Sequence, residues 1–283
     1  MEILIAIIPA IAWGSIGLVS NKIGGTAYNQ TLGMTIGAFI FSIGIYGIYQ
    51  PAMDVKVIIV GLLSGLFWVL GQQQQFQSMK TLGVSGALPI STGSQLIVNT
   101  LAGALLFHEW KSGRDVTLGV IALLILIVGA RFTAVSEESE HTNKGEKGKG
   151  YRAIAISTVG YGLYTIIINA AGVDAMAVIL PQSVGMLIGS ILFSIHQDVF
   201  NKYTLRNLIT GFLWAIGNIF MLISMKNVGL AVSFSLSQTG IIISTLGSIW
   251  LLGEKKTKRE FRYVVAGCLL VIAGGMLLGY LKS

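Results

Sequence analysis

Residues 57–79 read VIIVGLLSGLFWVLGQQQQFQSM, a run of 23 residues without one Asp, Glu, Lys or Arg. An α-helix that crosses the hydrocarbon core of a bilayer needs about 20 predominantly apolar residues, so this run is long enough to span a membrane. Its second half is nevertheless rich in glutamine, at positions 72–75 and 77. The run therefore predicts a transmembrane helix that brings hydrogen-bonding groups into the membrane.

The same pattern recurs along the whole 283-residue chain, in which 53% of the residues are hydrophobic and 11% are charged. An ordinary soluble domain has about 25% charged residues. Ten stretches lack Asp, Glu, Lys and Arg: 3–21, 23–53, 57–79, 81–107, 116–130, 153–173, 175–197, 207–225, 227–253 and 263–281. The fifth is short, but it reaches the required length if Arg131 extends its charge to the interface. We therefore predict an all-α integral membrane protein with ten transmembrane helices.

A β-barrel and a signal peptide both fit these stretches less well than helices do. A membrane β-barrel would show segments of about 10 residues in which polarity alternates, whereas residues 121–129 are continuously apolar. A cleaved signal peptide would begin with a basic region and end in a small-x-small site; the first stretch follows Glu2 and has no such site. The single Cys268 and three scattered histidines form no metal-binding pattern, so we predict neither a metal nor a cofactor.

The net charge of +7 can arise in two ways. Basic proteins often bind nucleic acid, but Lys and Arg also orient membrane proteins by accumulating in cytoplasmic loops. If the ten stretches alternate across the membrane, fourteen Lys and Arg lie on one side and five lie on the side that bears both termini. This asymmetry favours the second origin of the charge. It predicts a plasma-membrane protein with both termini outside, and it excludes nucleic acid as a partner.

A polar segment divides the chain near its middle. Residues 134–150 read AVSEESEHTNKGEKGKG, a composition that cannot form a packed core and is typical of a solvated linker. Five of the predicted helices precede it and five follow it. We therefore divide the chain into a first five-helix repeat (1–133), the linker (134–150) and a second five-helix repeat (151–283).

The two halves match each other in sequence. Residues 30–34 (QTLGM) correspond to residues 182–186 (QSVGM) at an offset of 152 residues. At an offset of 146, the Ser-Met-Lys run at 78–80 corresponds to that at 224–226, and three further pairs match: Trp68 with Trp214, Gly71 with Gly217, and Gln72 with Asn218. Such residues seldom recur in the same order by chance. The sequence therefore predicts an internal duplication.

The number of helices in each repeat fixes the geometry of the duplication. Because five is odd, the second copy must enter the membrane from the side opposite to the first, and the repeats are inverted. Inverted repeats are the structural basis of alternating access in many transporters, whose substrate sites lie near the membrane midplane. Glycines four residues apart, as at 33 and 37, 61 and 65, and 185 and 189, predict close helix packing. The duplication thus favours a transporter over an enzyme.

Polar and aromatic side chains inside the predicted helices are the candidates for a substrate site. An amide that is buried without a partner costs about 2–7 kcal/mol, so amides in the membrane require a physical reason. Helical spacing places Trp68, Gln72 and Gln75 on one face. We predict that one central cavity is lined by residues of both repeats: Trp13, Trp68, Gln72, Gln95, Tyr161, Trp214, Asn218 and Gln238.

The amides have two possible roles. They can hydrogen-bond neighbouring helices to each other, which is the role we favour for Gln73 and Gln74. Alternatively, they line a hydrated cavity, and we favour this role for Gln72 and Asn218 because each lies one turn from a tryptophan.

The predicted helices also lack charge in their middle parts. A carrier of cations would be expected to have a buried carboxylate, and a carrier of phosphates or carboxylates a buried Lys or Arg. Amides suit the hydroxyl groups of a neutral sugar, while aromatic rings cover its apolar faces. Proton coupling would need a titratable group, for which the candidates are Glu109 and Glu254 at equivalent ends of two predicted helices. Both residues can equally be simple loop charges. The sequence therefore leaves open whether an ion is coupled to transport, and it leaves the oligomeric state open too.

The chain resembles the drug/metabolite transporter superfamily, and within it the bacterial glucose uptake proteins of the glucose/ribose porter family. The residues that support the resemblance are 8–14 (IPAIAWG), 71–75 (GQQQQ), 89–96 (PISTGSQL), 224–226 (SMK) and 237–240 (SQTG). The likeness extends over about residues 2–281. It implies ten helices in two five-helix repeats and uptake of glucose or a related sugar across the plasma membrane. Proton symport is often presumed for this family.

Export and non-transport functions remain as alternatives. Small multidrug exporters of the same superfamily use a glutamate in their first helix, where this chain has Trp13 and no acid. Export of a neutral metabolite or an amino acid is the second candidate function. A membrane sensor would bind a ligand without flux, and a membrane enzyme would need a Cys/His cluster or a pair of carboxylates in a helix. Sugar uptake by alternating access fits the sequence best.

Overall fold

The computed structural model describes residues 2–135, 144–228, 233 and 236–281. Within these residues the chain forms eleven helices and no strand, which confirms the all-α prediction for the described part of the chain. The helices are α1 (Glu2–Ile23), α2 (Ala27–Tyr49), α3 (Val55–Leu82), α4 (Val84–Leu105), α5 (Gly113–Thr133), α6 (Lys144–Ala171), α7 (Ala175–Ser194), α8 (Lys202–Arg206), α9 (Leu208–Val228), α10 (Gly240–Leu251) and α11 (Lys258–Leu281).

Eight of the described helices are long and apolar enough to cross a membrane: α1, α2, α3, α5, α6, α7, α9 together with the short α8 before it, and α11. The helix α4 has 22 residues, but side chains such as Gln95 and Asn99 lower its hydropathy. The apolar helical segment Leu236–Leu251, which includes α10, is shorter. Residues 229–232, 234 and 235 of the predicted ninth span lie outside the described residues. The chain is therefore a multi-pass membrane protein, while the count of ten spans stays a prediction.

The polar segment between the predicted repeats is described only in part. Residues 136–143, which include His141, lie outside the described residues. The helix α6 begins at Lys144, within the range that the sequence predicts as linker. Lys and Glu are good helix formers, and Gly150 packs closely on the end of α3, where an added Cβ would lie 2.6 Å from Leu82 Cγ. Tertiary packing thus extends α6 beyond its apolar residues.

Side-chain caps determine where several helices begin. At the start of α2, Thr26 Oγ1 accepts from Asn29 N (3.3 Å) and Asn29 Oδ1 accepts from Thr26 N (2.9 Å). The same reciprocal pair starts α5, with Asp115 N donating to Ser112 Oγ (3.1 Å) and Ser112 N donating to Asp115 Oδ2 (2.9 Å). Such capping boxes satisfy backbone N–H groups that a helix leaves without partners. They separate consecutive membrane helices by short, defined turns.

The chain forms two compact units. Unit 1 consists of Met1–Leu18, Ser78–Ile154 and Ile216–Ser283, and unit 2 consists of Val19–Gln77 and Ala155–Ala215. Each unit therefore contains helices from both predicted repeats.

In unit 2, glycines let helices of different predicted repeats approach backbone to backbone. A Cβ on Gly65 of α3 would lie 2.6 Å from Met186 N of α7. A Cβ on Gly211 of α9 would lie 2.5 Å from Ala38 N of α2. Gly65 and Gly211 are equivalent at the offset of 146, and α7 and α2 contain the matched 182–186 and 30–34 segments. Equivalent glycines thus pack on corresponding helices, but one helical turn apart, because Met186 corresponds to Met34 whereas Gly211 approaches Ala38.

In unit 1, the apolar core lies between α4, α5, α10 and α11 and contains Leu96, Leu126, Ile241, Val264 and Val271. Small residues again bring backbones together. A Cβ on Gly267 of α11 would lie 2.6 Å from Gly129 O of α5, and a Cβ on Gly14 of α1 would lie 2.5 Å from Gly240 O at the start of α10. Such close approach favours helix association in lipid, where van der Waals packing replaces the hydrophobic effect.

Candidate functional site

A tyrosine ring lies on a glycine in unit 2. A Cβ on Gly71 of α3 would lie 2.8 Å from Cγ of Tyr161, which belongs to α6. The backbones are also close, because a Cβ on Gly160 would lie 2.5 Å from Gly71 N, and Ser157 Oγ donates a 2.7 Å hydrogen bond to Gly71 O. The absence of a side chain at position 71 therefore positions the Tyr161 ring next to the glutamine run that follows.

The Tyr161 hydroxyl joins two of these glutamines. It donates to Gln72 Oε1 at 2.6 Å and lies 3.4 Å from Gln75 Oε1, while Gln72 Nε2 lies 3.5 Å from Gln75 Oε1. Gln72 and Gln75 are 4% and 8% exposed. Buried polar groups of this kind normally have hydrogen-bond partners, and here they supply partners to one another. The prediction that Gln72 and Gln75 share a face of α3 is confirmed.

Aromatic rings surround this polar group. The Trp68 ring lies edge-on to Tyr161, with 6.2 Å between centroids and an interplanar angle of 79°. Trp68 also contacts Trp214 of α9, at 5.3 Å and 64°. Both edge-to-face geometries are those that aromatic pairs prefer. Trp68, Gln72, Gln75, Tyr161 and Trp214 form what we call the aromatic–amide cluster.

The other four predicted site residues belong to unit 1. The indole of Trp13 in α1 lies on Gly217 of α9, where a Cβ would come 2.5 Å from Trp13 Cδ1, and Asn218 follows that glycine directly. A Cβ on Gly275 would lie 2.9 Å from Gln238 Cγ. Gln95 Nε2 donates to Ser91 Oγ at 3.1 Å within α4.

The structure therefore divides the eight predicted site residues into two groups of four, one in each unit. Trp68, Gln72, Tyr161 and Trp214 are close together in unit 2. The remaining four are residues of unit 1, where Trp13 lies on Gly217, the residue before Asn218. A single cavity lined by all eight stays a prediction. Sequence reasoning did not include Gln75 or the two glycines in the predicted site. The matched pairs Gly71-Gln72 and Gly217-Asn218 were the signal that could have identified the glycines.

The candidate proton-coupling residue Glu254 has a defined structural role. Its Oε1 accepts from Val84 N at 2.6 Å and its Oε2 accepts from Ser85 N at 3.1 Å and from Ser85 Oγ. The carboxylate thus satisfies backbone N–H groups at the first turn of α4, where the helix dipole favours a negative charge. Gly83 has a positive φ of 75°, and a Cβ there would lie 2.9 Å from Glu254 Oε2.

Glu109, the second candidate, lies beyond the other end of α4. Its backbone N donates to Gly103 O at 3.0 Å. Its carboxylate packs on the same glycine, where a Cβ would lie 3.0 Å from Glu109 Cδ. The two acids that the sequence places at equivalent helix ends therefore both contact α4, at opposite ends of that helix.

These observations define the class of protein: a multi-pass helical membrane protein with a buried, uncharged group of aromatic rings and amides. The model of the family described as sugar transport protein matches residues 4–281. The chain belongs to this family, a family of transport proteins and not of enzymes, and the resemblance to bacterial sugar and glucose uptake proteins is confirmed.

Relatives match over their full length. A protein of Enterococcus faecalis, whose name describes sugar uptake, is 55% identical over 100% of both chains. A protein of Lactiplantibacillus plantarum with the same name is 50% identical over 100% of both chains. A Bacillus cereus protein named "Probable glucose uptake protein" is 50% identical over 100% of both chains. A crystal structure of another protein, 18% identical, matches with a TM-score of 0.61 over 98% of this chain and 96% of that chain, which shows a shared fold.

Proposed function

We propose that this chain is a secondary transporter that takes up glucose or a related neutral sugar across the plasma membrane by alternating access. Membership of the sugar transport protein family and full-length relatives named for sugar or glucose uptake support this function. The observation that links the function to particular side chains is the aromatic–amide cluster, because its hydrogen-bonding groups are all uncharged.

The chemistry of the cluster suits a sugar. Carboxamides both donate and accept, so they can replace the water molecules that solvate sugar hydroxyls. Aromatic rings such as Trp68 and Trp214 offer flat apolar surfaces to the C–H faces of a pyranose. In the present conformation the Tyr161 hydroxyl occupies the acceptors of Gln72 and Gln75. A sugar hydroxyl can donate to these acceptors and accept from the Tyr161 hydroxyl in turn, so the exchange of partners costs little because no group is left unsatisfied.

The inverted ten-helix arrangement is part of the same proposal. Two sets of contacts support it: Gly65 packs on α7 as Gly211 packs on α2, and the Tyr161 ring lies on Gly71 as the Trp13 ring lies on Gly217. The glycines, Gly65 with Gly211 and Gly71 with Gly217, are each related by the offset of 146 between the halves. Rocking of one five-helix repeat relative to the other would then expose the site to either side of the membrane.

Counterflow in proteoliposomes tests the function. Vesicles loaded with unlabelled glucose should accumulate labelled glucose, and the same assay with amino acids separates uptake of sugar from transport of an amino acid. Repeating sugar uptake with and without an imposed pH gradient determines whether protons are coupled. Accumulation of an amino acid alone would contradict the proposal, and tags on the two termini that report opposite sides of the bilayer would contradict the inverted arrangement.

The site is tested by a matched pair of glutamines in one helix. We expect Gln72→Ala to raise the half-saturation concentration for the sugar about three- to ten-fold, since about one hydrogen bond is lost, at unchanged protein content in the membrane. Gln77, which is exposed in the same helix, provides the control as Gln77→Ala. Wild-type kinetics for Gln72→Ala would remove this residue from the site.

A further inference from the structure

The segment between α7 and α9 in unit 2 presents large apolar side chains on its surface. Residues 195–207, which include α8, read IHQDVFNKYTLRN, and we call them the α7–α9 connector. Phe200 is 86% exposed and Leu205 is 70% exposed. A single exposed apolar residue is ordinary, whereas several in one short segment indicate a contact surface. The connector is therefore a candidate interaction site.

Hydrogen bonds hold the connector against the start of α2. The amide nitrogen of Asn29 lies 3.1 Å from Thr204 Oγ1 and 3.3 Å from Asn201 Oδ1. It also lies 3.3 Å from the backbone oxygen of Asp198. Asn201 caps α8 as well, since its Oδ1 accepts from Tyr203 N at 3.0 Å. Networks of this kind make the backbone rigid, so the connector has a defined shape.

Close packing fixes the same segment on the turn before α2. Gly25 has a positive φ of 84°, and a Cβ on it would lie 2.7 Å from Tyr203 Cβ. Val199 is only 2% exposed, although the next residue, Phe200, is almost fully exposed. The connector thus buries one set of side chains against the helices, and its fixed backbone directs Phe200 and Leu205 outward.

The exposed side chains continue the surface that the adjoining helices present to lipid. Leu192 of α7 is 55% exposed, Ile195 directly after α7 is 62% exposed, and Ile209 of α9 is 52% exposed. Both helices belong to segments that are long and apolar enough to cross a membrane, so lipid solvates such side chains. Lys202 and Arg206 of α8 are exposed too, and long basic side chains can extend from the membrane interface to water. Lipid is therefore the partner that this position favours.

We propose that the α7–α9 connector is an interfacial anchor, whose Phe200 and Leu205 side chains insert between the headgroups and the acyl chains of the adjacent leaflet. Elements that combine Phe or Leu with Lys or Arg lie at this boundary, with the apolar side chains about 5–10 Å inside it. Because Asn29 joins the connector to α2, the anchor holds the adjoining ends of α2, α7 and α9 at one depth in the membrane. The proposal does not depend on which sugar the chain transports.

Spin labels measure the depth of the two side chains. The chain has one native cysteine, Cys268, which is 3% exposed, and Cys268→Ala gives a background in which Phe200→Cys or Leu205→Cys carries the only label. The full-length chain is placed in phosphatidylcholine nanodiscs, one copy in each. The collision rates of the label with O₂, which partitions into lipid, and with a water-soluble nickel chelate are then compared. We expect the ratio of the oxygen rate to the nickel rate to be at least about three-fold higher at positions 200 and 205 than at position 197.

Two further labelled positions calibrate this measurement. Gln197→Cys is the aqueous control, because Gln197 is an exposed polar residue of the same connector, and Leu192→Cys is the lipid reference. Ratios at positions 200 and 205 equal to the ratio at position 197 would place the connector in water and overturn the proposal. Low collision rates with both reagents would mean that protein covers the two side chains, which would equally overturn it. Should Phe200→Cys fail to reach the membrane, Leu205→Cys decides by the same criteria.

Discussion

The two places where an aromatic ring lies on a glycine share their packing but differ in their polar chemistry. In unit 2 the Tyr161 ring of α6 lies on Gly71, and in unit 1 the Trp13 indole of α1 lies on Gly217. The tyrosine adds a hydroxyl, which binds Gln72 at 2.6 Å, whereas an indole can only donate through its N–H. The two halves therefore share a steric contact, while the hydrogen-bonding residues around it differ. We infer that the glycines serve the architecture and the amides serve selectivity.

The largest effect should come from filling the glycine positions. In Gly71→Ala and Gly217→Ala the new Cβ would lie within 3 Å of ring atoms of Tyr161 and Trp13, so a ring or a helix must move. Overpacking of this kind typically costs about 1–3 kcal/mol, and we expect lower melting temperatures and loss of most sugar uptake in both variants. Thermal unfolding in detergent and uptake by vesicles measure these two effects.

The control for this prediction is a glycine in open space. A Cβ on Gly44 of α2 would meet nothing within 4 Å, so Gly44→Ala should retain wild-type stability and uptake. If Gly71→Ala is disruptive and Gly217→Ala is not, the contact of Trp13 is adaptable and the two halves are less alike in packing than we infer.

Removing the central ring of the aromatic–amide cluster should have the next largest effect. Trp68 is 2% exposed and contacts both Tyr161 and Trp214. We expect Trp68→Ala to raise the half-saturation concentration for the sugar about ten-fold, because a stacking surface and edge-to-face contacts are lost, without loss of protein from the membrane. Substitution of the exposed Trp250 by Ala is the control. Unchanged kinetics in Trp68→Ala would exclude this ring from the site.

A smaller and more specific effect is expected from Tyr161→Phe, which makes the two ring–glycine contacts more alike. The ring keeps its position on Gly71, but Gln72 and Gln75 lose a shared hydrogen-bond donor. We expect the half-saturation concentration to rise about three- to ten-fold, because a bound sugar loses the Tyr161 hydroxyl as a partner. The melting temperature should fall modestly, since the buried Gln72 Oε1 also loses its donor. Tyr46→Phe, at a tyrosine that is 37% exposed in α2, is the matched control. A large fall in stability with unchanged half-saturation would indicate that the hydroxyl only stabilises the fold.

The sequence predicted the helices well because charge-free length is a direct requirement of the membrane. It also predicted that Trp68, Gln72 and Gln75 share a face, since helical spacing determines which side chains are neighbours within one helix. It did not predict that Tyr161 hydrogen-bonds these glutamines, because contacts between helices depend on where Gly71 and Gly160 allow close approach. The start of α6 at Lys144 was missed for a similar reason: the packing of Gly150 on Leu82 is a tertiary contact.

The smallest effect is expected from substituting Glu254. These variants distinguish the two roles that the sequence left open, a simple charge at a helix end and a proton-coupling group. In Glu254→Ala the N–H groups of Val84 and Ser85 lose their acceptor, and loss of a helix cap typically costs about 1 kcal/mol, which should lower the melting temperature slightly. Glu254→Gln keeps one acceptor oxygen but cannot release a proton. If Glu254 only caps α4, the response of Glu254→Gln uptake to a pH gradient should equal that of the wild type. If this response disappears while glucose counterflow persists, Glu254 couples protons to transport. Counterflow is the right comparison because it needs the sugar site and the conformational change but no net proton movement.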